Sequence, residues 1–272
     1  MRYPKAKRSY GQNFLVHKPT LETIAELAAK LDERRIIELG TGTGNLTRQL
    51  ARRIERVISF ELDPEMLEWL EKEADLPENV EVRRADILEV DFASLHAELG
   101  GGPLSVVGNL PYNISTQMVF RLVESAEFLK GALLMFQKEV AERITARPGG
   151  KDYGILSVVS QYRADVKRLF DLPPTLFTPR PKVTSSLVEF RFRQRPAMSC
   201  DETWLLRVVK AAFSQRRKKL VNTLSAGLGF EKGRVKSAIQ AAGLDPDQRA
   251  EQLSVADFIK LSNRLSIHRK GS

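Results

Sequence analysis

Cysteine, histidine and long apolar runs are all scarce in this chain, and each scarcity closes a route. The single cysteine, Cys200, rules out an internal disulfide. It sits in the triplet SCD without the preceding proline of a Pro-Cys nucleophile, which leaves it an inert small residue at a domain junction. His17, His96 and His268 lie far apart, so no metal-ligand spacing exists and structural zinc is not expected. No run approaches the roughly 18 apolar residues of a spanning helix. The basic start MRYPKAKRSY gives way to GQNFL instead of an apolar core, so a cytoplasmic protein with no membrane partner is expected.

What is abundant is positive charge. Lysine and arginine number 43 against 34 acids, a net charge of +9. That excess points to a polyanionic partner; RNA, DNA or an anionic membrane surface would each satisfy it. The charge is uneven, because residues 201–272 carry most of it, in a segment with only helical periodicity. There Trp204, Leu205, Val208, Val209, Ala212 and Phe213 form one stripe, and Val255, Phe258, Leu261 and Leu265 form another. Ser254 and Asp257 have the spacing of a capping box in front of the second.

Upstream, strand-like runs alternate with amphipathic stretches: RIIEL, RVISFEL, VEVRRAD, LSVVGNL, GALLMF, VKRLFDL and SSLVEFRFR. Alternation of this kind predicts a doubly wound, Rossmann-like α/β sheet. The last two runs are separated only by the loop LPPTLFTPRPKVT, so they should form an antiparallel hairpin closing one edge. The expected division is an α/β domain over 1–198, with a basic arm at 1–18, and a small all-α domain over 199–272. A solvated tail is the ordinary reading of such an arm.

Two motifs carry chemistry. In IIELGTGTGNLTRQL a buried strand runs into a turn at Gly40, Gly42 and Gly44 and then a helix from about Asn45, where the missing Cβ atoms let a ligand lie against the backbone. A dinucleotide loop looks similar, although the spacing is GxGxG, not GxGxxG. Glu61 ends the next strand, 21 residues after Gly40, where a carboxylate can accept from ribose hydroxyls. Asp86 follows a third strand, where it can accept from an adenine amino group while Ile87 packs on the ring. The second motif is NLPY. The side-chain carbonyl of Asn109 and the backbone carbonyl of Leu110 can hold the hydrogens of an aromatic amine and stabilise the positive charge that grows on it during alkylation. Pro111 stiffens the turn, and Tyr112 offers a face for a stacked base.

Taken together, GQNFL at 11–15, ELGTGTG at 38–44, Glu61, AD at 85–86, NLPY at 109–112, FTPRPKV at 177–183 and FSQRRKKLVNTL at 213–224 resemble the small-subunit ribosomal RNA adenine N6,N6-dimethyltransferase family. The resemblance implies a class I methyltransferase fold with S-adenosylmethionine as cofactor. It implies dimethylation of two adjacent adenosines in a hairpin near the 3′ end of small-subunit rRNA, within a partly assembled subunit and by a monomer. By the same resemblance Gln12, Asn13, Leu15, Gly40, Gly42, Glu61, Asp86, Ile87 and Asn109 bind the cofactor. Asn109, Leu110, Tyr112 and Phe177 serve the reaction, with Phe177 on the far side of the target base. The run Arg216, Arg217, Lys218 and Lys219, read as lying on a helix, should contact RNA phosphates.

Four other readings remain at this point. A macrolide-resistance methylase of large-subunit rRNA shares NxPY, but its helical domain differs from FSQRRKKLVNTL. A DNA adenine methyltransferase would need a larger target-recognition region. A non-catalytic ribosome-assembly factor could keep the fold. A nicotinamide oxidoreductase explains Gly40 and Glu61 but not NLPY.

Overall fold

The computed structural model describes residues 4–7, 10–194 and 200–267, which divide into two compact units. The first comprises residues up to 141 together with 164–194. Its centre is a seven-stranded sheet built from β2 (Arg35–Leu39), β3 (Arg56–Glu61), β4 (Val80–Arg84), β5 (Leu104–Asn109), β6 (Leu129–Gln137), β7 (Ala164–Leu172) and β9 (Ser185–Phe192), in the order β4-β3-β2-β5-β6-β9-β7. Strands β4 to β6 are parallel. The interior ones are apolar and buried on both faces, as strands flanked by helices must be. Strand β9 runs antiparallel to β6 and β7, so the expected edge hairpin is present.

Helices α1 (Lys18–Leu31), α2 (Asn45–Ala51), α3 (Pro64–Glu73), α4 (Phe92–Glu98) and α5 (Ser115–Glu124) connect or precede these strands. Because β2 has β3 on one side and β5 on the other, the winding reverses there. Crevices outside the carboxyl ends of strands at such a reversal are where α/β sheets bind ligands. The two loops that leave those ends are the glycine turn and NLPY. A second, two-stranded sheet joins β1 (Phe14–Leu15) antiparallel to β8 (Phe177–Thr178). The arm is thereby stitched to the unit, with Val16 N donating to the Leu176 carbonyl at 2.9 Å, and what composition alone reads as a tail is a wall.

The second unit takes residues 142–163 together with the segment from 195 onward. After α6 (Lys138–Thr145), it contains α7 (Ile155–Arg163), α8 (Glu202–Ala212), α9 (Leu220–Leu228), α10 (Lys232–Ala241) and α11 (Val255–Ile267). Both stripes seen in the sequence enter one apolar cluster, where Tyr153 and Val158 of the inserted segment meet Trp204, Val208, Leu224, Ile239, Phe258 and Leu261. The sequence reading placed 142–163 in the α/β domain; the structure packs these residues among the helices, since α7 presents a buried apolar face that periodicity cannot assign to a domain. The expected boundary at 198/199 lies outside the described residues. Ser254 and Asp257 form the reciprocal cap, with Asp257 N donating to Ser254 Oγ at 3.2 Å and Ser254 N to Asp257 Oδ2 at 3.1 Å.

The run 216–219 is not helical. Helix α8 ends at Ala212, and the chain crosses in turns to Lys219, which caps α9 from an extended conformation. Between Phe213 and Leu220 the sequence SQRRKK has no apolar residue to bury and four adjacent like charges, so a continued helix would gain no packing and suffer repulsion. No helix among the described residues is long and apolar enough to cross a membrane.

Candidate active site

A cavity of about 350 Å³ opens at the reversal point, and its lining collects residues from five stretches of chain, 10–15, 38–46, 60–62, 86–87 and 109–114, together with Leu21 and Met135. The glycine turn forms its floor. Gly40 has φ +87°, and a Cβ there would find nothing nearer than the Asn109 carbonyl at 3.9 Å, so its bare Cα faces open space. Gly42 is needed for another reason: a Cβ there would stand 3.0 Å from the Phe14 ring, which packs on the turn from the arm.

Two acids stand at the carboxyl end of this sheet. Glu61 is anchored by three backbone N–H groups, with Oε2 accepting from Gly42 at 2.8 Å and Oε1 from Leu62 and Asp63 at 2.9 Å each. A carboxylate has about four acceptor positions, so roughly one remains for a ligand hydroxyl, where the sequence reading expected two. Asp86 uses one oxygen to cap the turn after β4, accepting from Leu88 N at 2.9 Å, and lines the cavity together with Ile87.

Glu38 is a site residue that motif reading passed over. It is buried at the end of β2, where Thr47 Oγ1 and Ser59 Oγ both donate to Oε2 at 2.6 Å while Oε1 has no partner. Burial pushes its carboxyl up to about 7 despite those two bonds, and the charge of Glu61 adds to the rise. A buried acceptor left open on a cavity wall calls for a donor from a ligand. Leu62 was missed too, its one sequence signal being that it directly follows the strand-end acid: at 38% exposure it is one of the few large apolar side chains left uncovered among the described residues, and it lines the same cavity.

The NLPY turn is set from the arm. Asn109 Nδ2 donates to the Asn13 carbonyl at 2.7 Å, which orients the amide and leaves Oδ1 as its acceptor end. Asn13 in turn spends its own amide on the Gly11 carbonyl at 3.1 Å. Tyr112 bonds Ser185 Oγ through its hydroxyl at 2.7 Å, and burial holds the phenol above its ordinary value and so neutral. Leu110 and Leu15 are buried cavity-lining residues, and the Leu15 carbonyl accepts from Asn45 Nδ2 at 3.1 Å.

Two expected site residues are placed differently. Gln12 lines the cavity, but its side chain is committed to the protein: Nε2 donates to Asp63 at 3.2 Å and Oε1 accepts from Lys7 N at 2.8 Å. With Lys7 Nζ on Asp63 at 2.8 Å, this group ties the arm to the start of α3. Burial alone would push the Asp63 carboxyl up, but the bonds from Lys7, Gln12 and Glu65 N outweigh it and hold it below the usual carboxylate range. Phe177 is 1% exposed in the apolar cluster beneath α1 and is absent from the cavity wall, because its pairing with Leu15 turns it into the core.

Residues 3–266 match the model of the family described as ribosomal RNA adenine dimethylase. The chain belongs to that family. Among its relatives are the ribosomal RNA small subunit methyltransferases A of Desulfitobacterium hafniense, 43% identical with 93% of this chain and 90% of the relative covered, and of Caldanaerobacter subterraneus, 40% identical with 96% and 97% covered. Two solved structures share the architecture. A dimethyladenosine transferase from Plasmodium falciparum aligns with a TM-score of 0.75 at 25% identity, covering 95% of this chain and 98% of its own. The 23S rRNA methyltransferase ErmE aligns with a TM-score of 0.69 at 27% identity, covering 93% and 99%.

Members of the ribosomal RNA adenine dimethylase family are S-adenosylmethionine-dependent enzymes acting on rRNA. The cavity suits that cofactor on its own evidence of chemistry. The unpartnered Glu38 oxygen matches an α-ammonium, the remaining Glu61 position a ribose hydroxyl, and Leu62 and Ile87 the faces of an adenine ring. The nicotinamide alternative fares worse, since it assigns no task to Asn109 or to the arm.

Proposed function

We propose that this protein transfers methyl groups from S-adenosylmethionine to N6 of two adjacent adenosines in a hairpin near the 3′ end of small-subunit rRNA, acting in the cytoplasm as a monomer on a partly assembled subunit. The observation that carries the reading is the Asn109 amide, locked by the Asn13 carbonyl so that its acceptor end stands at the NLPY turn beside the cofactor cavity. Small-subunit methyltransferases at 40–43% identity, against 27% for the large-subunit enzyme ErmE, support the choice of subunit.

When bound, the cofactor supplies an electrophilic methyl group on a sulfonium centre. The protein's part is to prepare the amine. The adenine N6 lone pair is delocalised into the ring, and acceptors at Asn109 Oδ1 and the Leu110 carbonyl hold its hydrogens in a geometry that favours a pyramidal nitrogen. The same dipoles offset the charge that grows there, and being fixed in advance they need no reorganisation. Tyr112, neutral and held by Ser185, gives the flipped base a face to stack on. Gly40, Gly42, Glu38, Glu61, Asp86, Ile87, Asn13 and Leu15 hold the cofactor, and Gln12 shapes the pocket through Asp63.

The helical unit supplies phosphate contacts through the turn at 216–219. Arg217 and Lys218 are exposed without an ion-pair partner among the described residues, while Arg216 meets Glu251 at 3.1 Å and Lys219 meets Asp247 at 3.0 Å. The test is to incubate the protein and labelled cofactor with undermethylated small subunits and, separately, with large subunits. Dimethyladenosine is expected in the small-subunit RNA. Label confined to large-subunit RNA would establish the macrolide-resistance reading instead, and tight binding without label would leave an assembly factor.

A further inference from the structure

The loop 179–184 has no role in the site described so far, yet both its ends are fixed to that site. On one side Thr178 pairs with Phe14, whose neighbours Asn13 and Leu15 line the cavity. On the other, Thr184 accepts from Lys138 N at 2.9 Å, and Ser185 bonds the Tyr112 hydroxyl at 2.7 Å. Between them the loop reads PRPKV: Pro181 is buried and pins the middle, while Arg180, Lys182 and Val183 are exposed, Val183 to 43%.

Chain geometry keeps these side chains close to the reacting base. At no more than about 3.6 Å per residue, Lys182 lies within about 11 Å of Ser185 and Arg180 within about 18 Å, Cα to Cα, before either long side chain is extended. Their charge is also uncommitted. Neither Arg180 nor Lys182 has an ion pair among the described residues; Lys130 and Lys167 of the same unit share that property, while Arg53, Arg56, Arg83, Lys138 and Arg193 each meet a carboxylate, and what sets the loop apart is its tether to Ser185. Two like charges a residue apart on a short, pinned loop gain nothing from folding, and a polyanion is what would repay their placement.

We infer that Arg180 and Lys182 grip RNA phosphates next to the target adenosine, with Val183 covering an adjacent ribose or base. The inference rests on RNA being the substrate. It gives the α/β unit its own RNA contact, separate from the turn at 216–219, and ties that contact through Ser185 to the tyrosine on which the base stacks.

The test uses the full chain with Arg180→Gln and Lys182→Gln together, and undermethylated small subunits as the probe. The slope of log K against log salt should become shallower by about 1.4–1.8, two contacts at roughly 0.7–0.9 each. KM for RNA should rise, and calorimetry should give an unaltered cofactor Kd. The exchange Arg180→Lys with Lys182→Arg keeps both charges and should keep the parental slope. An unchanged slope and KM in the glutamine variant, with the parent methylating small-subunit RNA normally, would overturn this inference and leave the proposed function standing. A shallower slope in the variant of a parent that methylates no adenosine in those subunits would uphold the loop and overturn the function.

Discussion

The cofactor cavity and the turn at 216–219 are both rich in polar side chains, and they are built on opposite plans. In the cavity nearly every polar group is already spent on the protein: Glu61 on three backbone N–H groups, Asn109 on the Asn13 carbonyl, Gln12 on Asp63 and Lys7. What remains for a ligand is a small number of oriented acceptors. In the turn two of four cations have no ion pair among the described residues and the other two hold partly exposed ones, which are worth about 1 kcal/mol or less. A site that must stabilise a transition state needs fixed dipoles, and one that must follow a flexible polyanion needs charge without fixed geometry. Mutations should therefore act steeply in the first region and gradually in the second.

The steepest effect should come from Asn109. Replacing it with alanine removes an acceptor from the reacting amine and is expected to slow methyl transfer by about 10²–10³, the scale for one preorganised group. It also frees the Asn13 carbonyl, so cofactor affinity should fall modestly as the arm loosens, a coupling the motif alone does not suggest. Single-turnover methylation at the parental rate would break the contrast between the regions. Next comes Glu61→Ala, for which cofactor binding should weaken by about 1.5–3 kcal/mol, the worth of a charge-assisted hydrogen bond. Stability should fall with it, because three backbone donors lose their acceptor. Calorimetry together with a thermal melt separates the two losses, and an unaltered Kd would remove Glu61 from the site.

Glu38, absent from the motif reading, explains how much of the site was legible. Strand runs, the edge hairpin, both helical stripes and the acid that ends β3 were readable because periodicity and glycine spacing report backbone geometry directly. Side-chain commitments were not. Nothing in GQNFL tells that Gln12 turns to Asp63 and Asn13 to Gly11, nor in FTPRPKV that Phe177 faces the core, which follows from a strand pair between residues more than 160 positions apart. The charge run reads as part of a helix only because like charges carry no periodic signal against it, and the segment 142–163 could not be allotted to a unit because the apolar face of α7 fits either core.

The sign of the Glu38 effect can be worked out in both directions. In the free protein its carboxyl is raised from the ordinary 4.5 to about 7. The native chain therefore keeps a proton that the unfolded chain has lost, and stability falls as pH rises from about 4.5 to 7 and then levels off. The loss amounts to roughly 3 kcal/mol. Cofactor binding runs the other way if Oε1 receives an ammonium, since the acid must then be ionised. Affinity should drop about tenfold between pH 8 and pH 6, and Glu38→Gln should bind weakly but without that pH dependence. A parental Kd that is flat across this range would exclude Glu38 from ligand binding.

The smallest expected difference lies inside the basic turn, and it bears most directly on the comparison. Arg217→Gln with Lys218→Gln removes two cations that have no ion pair among the described residues, so the salt slope of RNA binding should become shallower by about 1.4–1.8. Arg216→Gln with Lys219→Gln removes the same formal charge, but from side chains that already neighbour Glu251 and Asp247. Part of their charge is offset before RNA arrives, and fewer counterions are there to be released, so their slope change should be smaller. Cofactor affinity should be the same in both variants. Equal slope changes would mean that the exposed ion pairs dissolve on binding and all four cations are interchangeable. No change in either variant, measured on pre-assembled small subunits, would make the turn ordinary solvated surface and leave phosphate binding to other cations of the chain.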